Sequence, residues 1–183
     1  DTGYVTPKEM GQNMTANQIY ESGKTIAGEL MKIGINLNLA PVADLASDQN
    51  PSYAMRCLGS DADAVADLLD DFVSGMREGG ISVTLRTFPG IGNVSADVTE
   101  SIAENTDSLM TIRDTNFVPY ASGIQAGADC VMVSNAAYSK LTVKKVPAFM
   151  SQDIVTKLLR EELGFDGIVM TSPLNDNVIE NNY

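Results

Sequence analysis

The sequence predicts an α/β protein built around a parallel sheet, with residues 1–183 forming a single domain. Two observations lead to this prediction. An amphipathic helix that ends at a glycine and leads into a short apolar strand recurs along the chain, and helices between strands imply parallel pairing through right-handed crossovers. The strands are also continuous apolar runs, which is typical of a sheet covered on both faces. A hydrophobic content of 44% suffices for one sizeable core.

Four helix-strand units account for most of the chain. The first helix is predicted to end at Gly34, and the second has an apolar face opposite a row of aspartates that we interpret as solvated. The third helix is expected to be interrupted at Pro119, and Ser151 is expected to cap the fourth. The helices are predicted within 16–34, 59–80, 112–127 and 151–164, and the strands within 35–42, 81–88, 128–138 and 165–174.

Composition excludes several classes of function. A formal net charge of −12 argues against binding of nucleic acid or of an anionic membrane surface, and no apolar run is long enough to span a bilayer. The sequence contains no histidine, so a histidine general base, a Ser-His-Asp triad and an imidazole-bound zinc site are impossible. Cys57 and Cys130 form neither a metal cluster nor a disulfide framework, and we expect Cys130 to be buried. No metal and no cofactor are predicted.

The sequence turns polar where the predicted strands end. Asp44 follows the first strand, Arg86 and Thr87 lie at the end of the second, and Asn135 and Ser172 follow the last two apolar runs. Because the carboxyl ends of parallel strands lie at one edge of a sheet and ligands bind there, we expect these five side chains to share one face of the molecule.

Several motifs, in order, resemble one known family. They are "GINLNLAPVADL" with "NPSYAMRCLGSD", then "RTFPGIG", then "GFDGIVMTSPL". Together they resemble the N-terminal TIM-barrel domain of family 3 glycoside hydrolases, specifically the bacterial β-N-acetylglucosaminidases. The resemblance covers nearly the whole chain and implies a parallel (β/α) barrel of the TIM type that is incomplete here. The missing strands are expected from a longer polypeptide or from a partner.

The resemblance also implies that the catalytic groups of the family are substituted. The position of the family's nucleophilic aspartate holds Ser172, and the position of its acid/base histidine holds Thr99, two residues after a retained Asp97. A serine hydroxyl without a base cannot replace a carboxylate nucleophile, and a threonine cannot shuttle a proton near neutral pH. No catalytic residue is therefore expected to be intact.

Part of the family's sugar-binding set remains. Arg56 matches the arginine that binds the sugar, and Arg86-Thr87 replaces a Lys-His pair. Asn135 stands where the next strand end carries a histidine, and Asp44 is retained at the end of its strand. We expect these five residues to form the substrate-binding set.

Three functions stay open at this point. The first is a non-hydrolytic domain that binds N-acetylglucosamine-type glycans or cell-wall fragments, and the second is a structural or interaction module of a larger surface protein. The third is an active hydrolase with substitute carboxylates, for which the candidates are Asp44, Asp97, Glu100 and Glu104. The resemblance to wall-acting relatives implies an extracytoplasmic or cell-surface location. Because the chain begins at Asp1 without a leader, we expect a removed leader or excision from a longer polypeptide.

Overall fold

The computed structural model describes residues 5–94, 102–143 and 145–182. Its centre is a four-stranded parallel sheet in the order β1-β2-β4-β6, formed by β1 (Leu37–Asn38), β2 (Ser82–Phe88), β4 (Cys130–Val133) and β6 (Ile168–Thr171). A second parallel pair joins β3 (Glu104–Asn105) to β5 (Ala137–Tyr138). The fold is therefore the α/β parallel barrel type predicted from the sequence, and it is incomplete in this chain.

The helices cover the sheet and connect its strands. They are α1 (Pro7–Asn13), α2 (Ala16–Lys32), α3 (Pro51–Ala54), α4 (Ala62–Glu78), α5 (Leu109–Asp114), α6 (Phe117–Gln125), a 3₁₀ turn (Ala148–Met150), a π-helix (Asp153–Glu162) and α7 (Asn177–Glu180). Residues on α2 and α4 pack against each other, and α4 also packs against α6. This places one layer of helices on the outer face of the sheet.

Local signals explain where the long helices begin and end. Thr15 and Gln18 form a capping box at the start of α2, which satisfies two backbone amides that have no partner inside the helix. Asp61 caps α4 by accepting a hydrogen bond from the amide of Ala64. After α2 the chain reverses at Gly34, whose φ of 85° lies in the left-handed region that glycine tolerates, and this confirms the predicted stop.

The third predicted helix differs from its prediction. The sequence predicted an interruption at Pro119, but the break lies between α5 and α6, near Thr115, and Pro119 is the third residue of α6. That prediction was wrong because a proline in the first helical turn removes an amide that would have no intrahelical partner. The fourth helix begins at Asp153, yet the Ser151 hydroxyl still accepts a hydrogen bond from the amide of Ile154 at 3.3 Å.

The core lies between the sheet and the helix layer. β2 and β4 occupy the middle of the sheet, and every residue of β4 is buried. Cys57 and Cys130 are both buried free thiols, as the sequence predicted for Cys130. Burial raises the pKa of the Cys57 thiol to about 12, so it stays protonated and unreactive.

The two edge strands are open in the described part of the chain. At one edge Ile168 of β6 is 61% exposed, and at the other edge Leu39, directly after β1, is 46% exposed. Apolar exposure at both edges is what an incomplete barrel requires, because the neighbouring strands that would cover these residues are not in this sheet. Within the described residues, none of the helices is long and apolar enough to cross a membrane.

Candidate functional site at the strand ends

The four strands run parallel, with one irregularity in the β2-β4 pairing between Arg86 and Phe88, so their carboxyl ends lie on one side of the sheet. Arg86 lies opposite Met132 of β4, and Val133 lies opposite Thr171 of β6. The segment after β1 is held to β2 by a bridge between Val42 and Arg86. The five predicted strand-end residues therefore lie along one edge of the sheet, and together with Arg56 they fall into three local groups.

The first group is built around Asp44, whose side chain is fully buried. Its Oδ1 accepts hydrogen bonds from the Thr87 amide at 2.9 Å and the Tyr120 hydroxyl at 2.8 Å. Its Oδ2 accepts from the Tyr53 hydroxyl at 2.8 Å and the Ile91 amide at 3.1 Å. The four donors lie in three segments, at Tyr53, in the turn from Thr87 to Ile91, and at Tyr120. Asp44 therefore connects these three segments to its own.

Burial and hydrogen bonding act on Asp44 in opposite directions. Burial raises the pKa of Asp44 above its ordinary value, and the hydrogen bonds from Ile91, Tyr120, Thr87 and Tyr53 lower it by less. Thr87 is also buried, and its hydroxyl lies 2.7 Å from that of Tyr53. Asp44 and Thr87 therefore hold the site together, and their predicted contact with substrate remains a prediction.

The loop that carries the Phe-Pro-Gly sequence is fixed from two sides. The Asn116 side-chain amide donates to the carbonyl of Pro89 at 2.9 Å, and the Tyr138 hydroxyl donates to the carbonyl of Gly90 at 2.9 Å. Phe88 packs edge-on against Tyr120 with ring centroids 5.1 Å apart. The loop therefore has a defined position between β2 and the elements that follow it.

The second group consists of Arg56 and Arg86, which line one cavity of about 230 Å³ together with residues 39–42 after β1. Arg56 is exposed, and its guanidinium lies 6.0 Å from the centre of the Tyr53 ring. Arg86 is half-buried, and its Nε is buried without a hydrogen-bond partner among the described residues. We name this space the arginine cavity.

The third group lies at the ends of β4 and β6. Ser172 is 7% exposed, and its hydroxyl donates to the carbonyl of Val133 at 2.9 Å. The Asn135 amide donates to Oδ2 of Asp176 at 2.7 Å, and the Asn135 Oδ1 is buried without a partner among the described residues. An unpaired buried acceptor is costly, so this Oδ1 is a position where a ligand donor would be stabilised.

Asp176 was missed by the sequence reasoning. It lies at the N-cap position of α7, four residues after Ser172. Its only local signal was its place in the polar sequence "LNDN", which also fits an ordinary turn. Tyr53 and Tyr120 were missed for a similar reason, because nothing in the sequence connects them to Asp44.

Of the remaining candidate carboxylates, Glu104 is the one that lies within the described residues. Asp97 and Glu100, with Thr99 between them, lie outside the described residues. Glu104 forms a salt bridge with Lys145 at 2.8 Å, and the hydrogen bond from Lys145 is the main reason that the pKa of Glu104 is lowered. Glu104, which lies on β3, is thus ionised and paired with Lys145.

The chain belongs to a known family. Residues 3–182 match the model of the glycosyl hydrolase family 3 N-terminal domain. This agrees with the parallel sheet and with the strand-end residues described above, and it confirms the resemblance found in the motifs.

Individual relatives have the same fold. A β-hexosaminidase from Xylella fastidiosa (strain M23) is 34% identical over 155 residues, which are 85% of this chain and 45% of that protein. The structure of a family 3 β-N-acetylglucosaminidase from Paenibacillus sp. FPU-7 superposes with a TM-score of 0.93 at 31% identity, covering 97% of this chain and 34% of that one.

A β-N-acetylhexosaminidase structure from Beutenbergia cavernae gives a TM-score of 0.88 at 34% identity, covering 97% of this chain and 54% of the other. The chain therefore spans about half or less of the length of these relatives.

Proposed function

We propose that this chain is a family 3 glycoside hydrolase domain that binds an N-acetylglucosamine-type glycan without hydrolysing it. The observation that carries the proposal is Ser172, which stands at the position of the family's nucleophile. Ser172 is almost fully buried, and its hydroxyl already donates a hydrogen bond to the backbone carbonyl of Val133 on β4. A retaining glycosidase needs a carboxylate there, and an un-ionised hydroxyl without a base is a poor nucleophile.

The acid/base residue that transfers the proton in the family's reaction is also substituted. The chain has no histidine, and Thr99 replaces the family's acid/base residue in the sequence. Of the alternative carboxylates, Asp44 is fully buried and bound by four donors, and Glu104 is paired with Lys145. Two carboxyl groups facing each other across a glycosidic bond would be required for hydrolysis, and neither of these is free to serve.

Binding is supported by the polar groups that remain at the strand ends. Arg56 and Arg86 present guanidinium groups to the arginine cavity, and the Asn135 Oδ1 is a buried acceptor that lacks a donor among the described residues. Sugar hydroxyl and acetamide groups can satisfy both kinds of atom. From the resemblance alone we also propose an extracytoplasmic or cell-surface location, which fractionation of producing cells would test.

Incubation with the β-linked disaccharide of N-acetylglucosamine tests the loss of hydrolysis. Free N-acetylglucosamine, quantified by chromatography over many hours, is expected to stay at the level of the protein-free control. Release that increases in proportion to protein concentration would overturn the proposal. An Asp176→Asn variant would then show whether the carboxylate beside Asn135 performs the chemistry, since Asp176 follows Ser172 by four residues and accepts a hydrogen bond from Asn135.

A further inference from the structure

We propose that the arginine cavity selects an acidic saccharide, one that carries a carboxylate group. This inference rests on the proposed function, because it names the class of glycan for the same site. It is carried by the charge and the hydrogen bonding of the cavity wall.

Among the described residues, the wall of the arginine cavity has cations and no anion. Of the ten residues that line it, two are Arg56 and Arg86, and the other eight are apolar. An apolar surround strengthens the field of a cation, because less water is present to screen it. A ligand that enters this cavity therefore meets a positive potential.

The two arginines differ from the other three in this chain. Arg77 forms a salt bridge with Asp129 at 2.9 Å, and Arg113 forms one with Glu162 at 2.6 Å. Arg160 donates to two backbone carbonyl groups at 2.7 and 2.6 Å. Among the described residues, neither Arg56 nor Arg86 forms a salt bridge. Arg56 and Arg86, which have no acidic partner among the described residues, thus share one cavity in a protein with a net charge of −12.

The buried carboxylate of Asp44 does not neutralise them. Asp44 accepts hydrogen bonds from two backbone amides and two tyrosine hydroxyls, and none from an arginine. Directly after β6, the position that carries a carboxylate nucleophile in the family holds the neutral Ser172. Within the described residues, no carboxylate at this edge of the sheet is paired with Arg56 or Arg86.

The unpaired Nε of Arg86 points to the same ligand class. A buried donor without an acceptor costs free energy, and a guanidinium binds a carboxylate through two parallel hydrogen bonds. A neutral sugar hydroxyl can accept one of these bonds but cannot balance the charge. A carboxylate on the sugar can do both.

The test compares two ligands that differ in one group. The methyl β-glycoside of N-acetylglucosamine and the corresponding uronate, in which C6 is a carboxylate, are titrated into the ¹⁵N-labelled chain. The arginine Nε–H signals are followed by NMR, and an Arg86→Lys variant identifies the Arg86 signal by its loss. Because charge-assisted hydrogen bonds are about twice as strong as neutral ones, we expect the uronate to bind roughly tenfold more tightly or better and to shift the Arg86 signal.

Variants locate the preference in the cavity. Arg56→Gln is expected to remove most of the preference for the uronate, and since Arg56 is exposed the variant should fold normally. Arg86→Lys keeps a cation in the cavity and should retain a preference. Lys32→Gln removes an equal charge from the last turn of α2, outside the cavity, and is expected to change nothing.

Each outcome separates this inference from the proposed function. Equal affinity for both ligands would overturn the inference and leave the proposed glycan binding standing. Binding of neither ligand would overturn both. A uronate preference that persists unchanged in Arg56→Gln, or that Lys32→Gln also abolishes, would contradict the assignment to the arginine cavity.

Discussion

Asp44 shows how a single buried carboxylate can organise the edge of this sheet. Four donors from three segments of the chain converge on it, and the backbone amides of Thr87 and Ile91 fix the turn that follows β2. Its place at the end of a strand could be predicted from the sequence. Its partners Tyr53 and Tyr120 could not, because they come from α3 and α6 and meet Asp44 only after folding.

Asp44→Asn is expected to destabilise the protein by about 1–3 kcal/mol near neutral pH, because an amide nitrogen cannot accept a hydrogen bond and one buried backbone amide loses its partner. Urea denaturation measures the change. Asp63→Asn is a matched control, since Asp63 is exposed in the first turn of α4 and should change stability little. Equal stability of Asp44→Asn and the parent chain would contradict the role given to Asp44.

The raised pKa of Asp44 also predicts how the stability of the protein depends on pH. Since burial raises the folded-state pKa of Asp44 above its unfolded value, the folded state holds the proton more tightly. The contribution of Asp44 to stability is then fully present below its unfolded pKa, near pH 4, and is lost as pH rises through the folded pKa. The difference in unfolding free energy between the parent chain and Asp44→Asn should therefore shrink as pH rises from about 4. A difference that grows with pH would be contrary to this account.

At the scale of elements, the contact between α2 and α4 depends on a glycine. A Cβ added to Gly75 of α4 would overlap the backbone carbonyl of Tyr20 on α2, and backbone cannot move aside as a flexible side chain can. A Cβ added to Gly28 of α2 would instead meet no neighbouring atom within 4 Å. The close approach of α2 and α4 therefore requires a glycine at position 75 and does not require one at position 28.

Gly75→Ala is expected to cost at least about 1–3 kcal/mol, because it forces the two helices apart. Gly28→Ala should instead be neutral or stabilise by roughly 0.5–1 kcal/mol, since alanine is the better helix former. Thermal or urea unfolding of the two variants provides the comparison. Two equal effects would show that the helices do not approach each other as closely as described.

Elements with strong local signals were predicted well, and elements defined by distant contacts were not. The helix starts at Thr15 and Asp61 carry capping residues, and their positions follow from the sequence. The pairing of β3 with β5 joins residues more than 30 positions apart through two short strands. No periodicity can develop over two residues, so β3 gave no signal in the sequence, and β5 was merged with β4 in the single strand predicted within 128–138.

For the molecule as a whole, the open edges of the sheet have a measurable consequence. Ile168 on β6 is 61% exposed beside backbone groups that have no neighbouring strand in this sheet. Such an edge favours association with other chains. We expect the purified chain to associate as its concentration rises in sedimentation experiments, and Ile168→Lys to reduce this association. A parent chain that stays monomeric throughout would contradict the account of the edges.

The parallel sheet and the strand-end residues could be predicted from the sequence because apolar strands alternate with helices and the family's motifs occur in order. The division of the site into three groups could not, since it depends on which side chains bond to one another. Arg56 and Arg86 line a common cavity, while Asp44 and Thr87 are directed into the interior. From the sequence alone, the two residues that line the cavity could not be distinguished from the two that are buried in the interior.

The central claim is that this domain retains a glycan site and has lost the reaction. Isothermal titration of the purified chain with a disaccharide that contains N-acetylglucosamine measures both properties in one trace. We predict saturable heat that stops after each injection, because the ligand binds and is not consumed. Heat that continues between injections would contradict the loss of hydrolysis, and a flat trace would contradict retained binding and favour the interaction module.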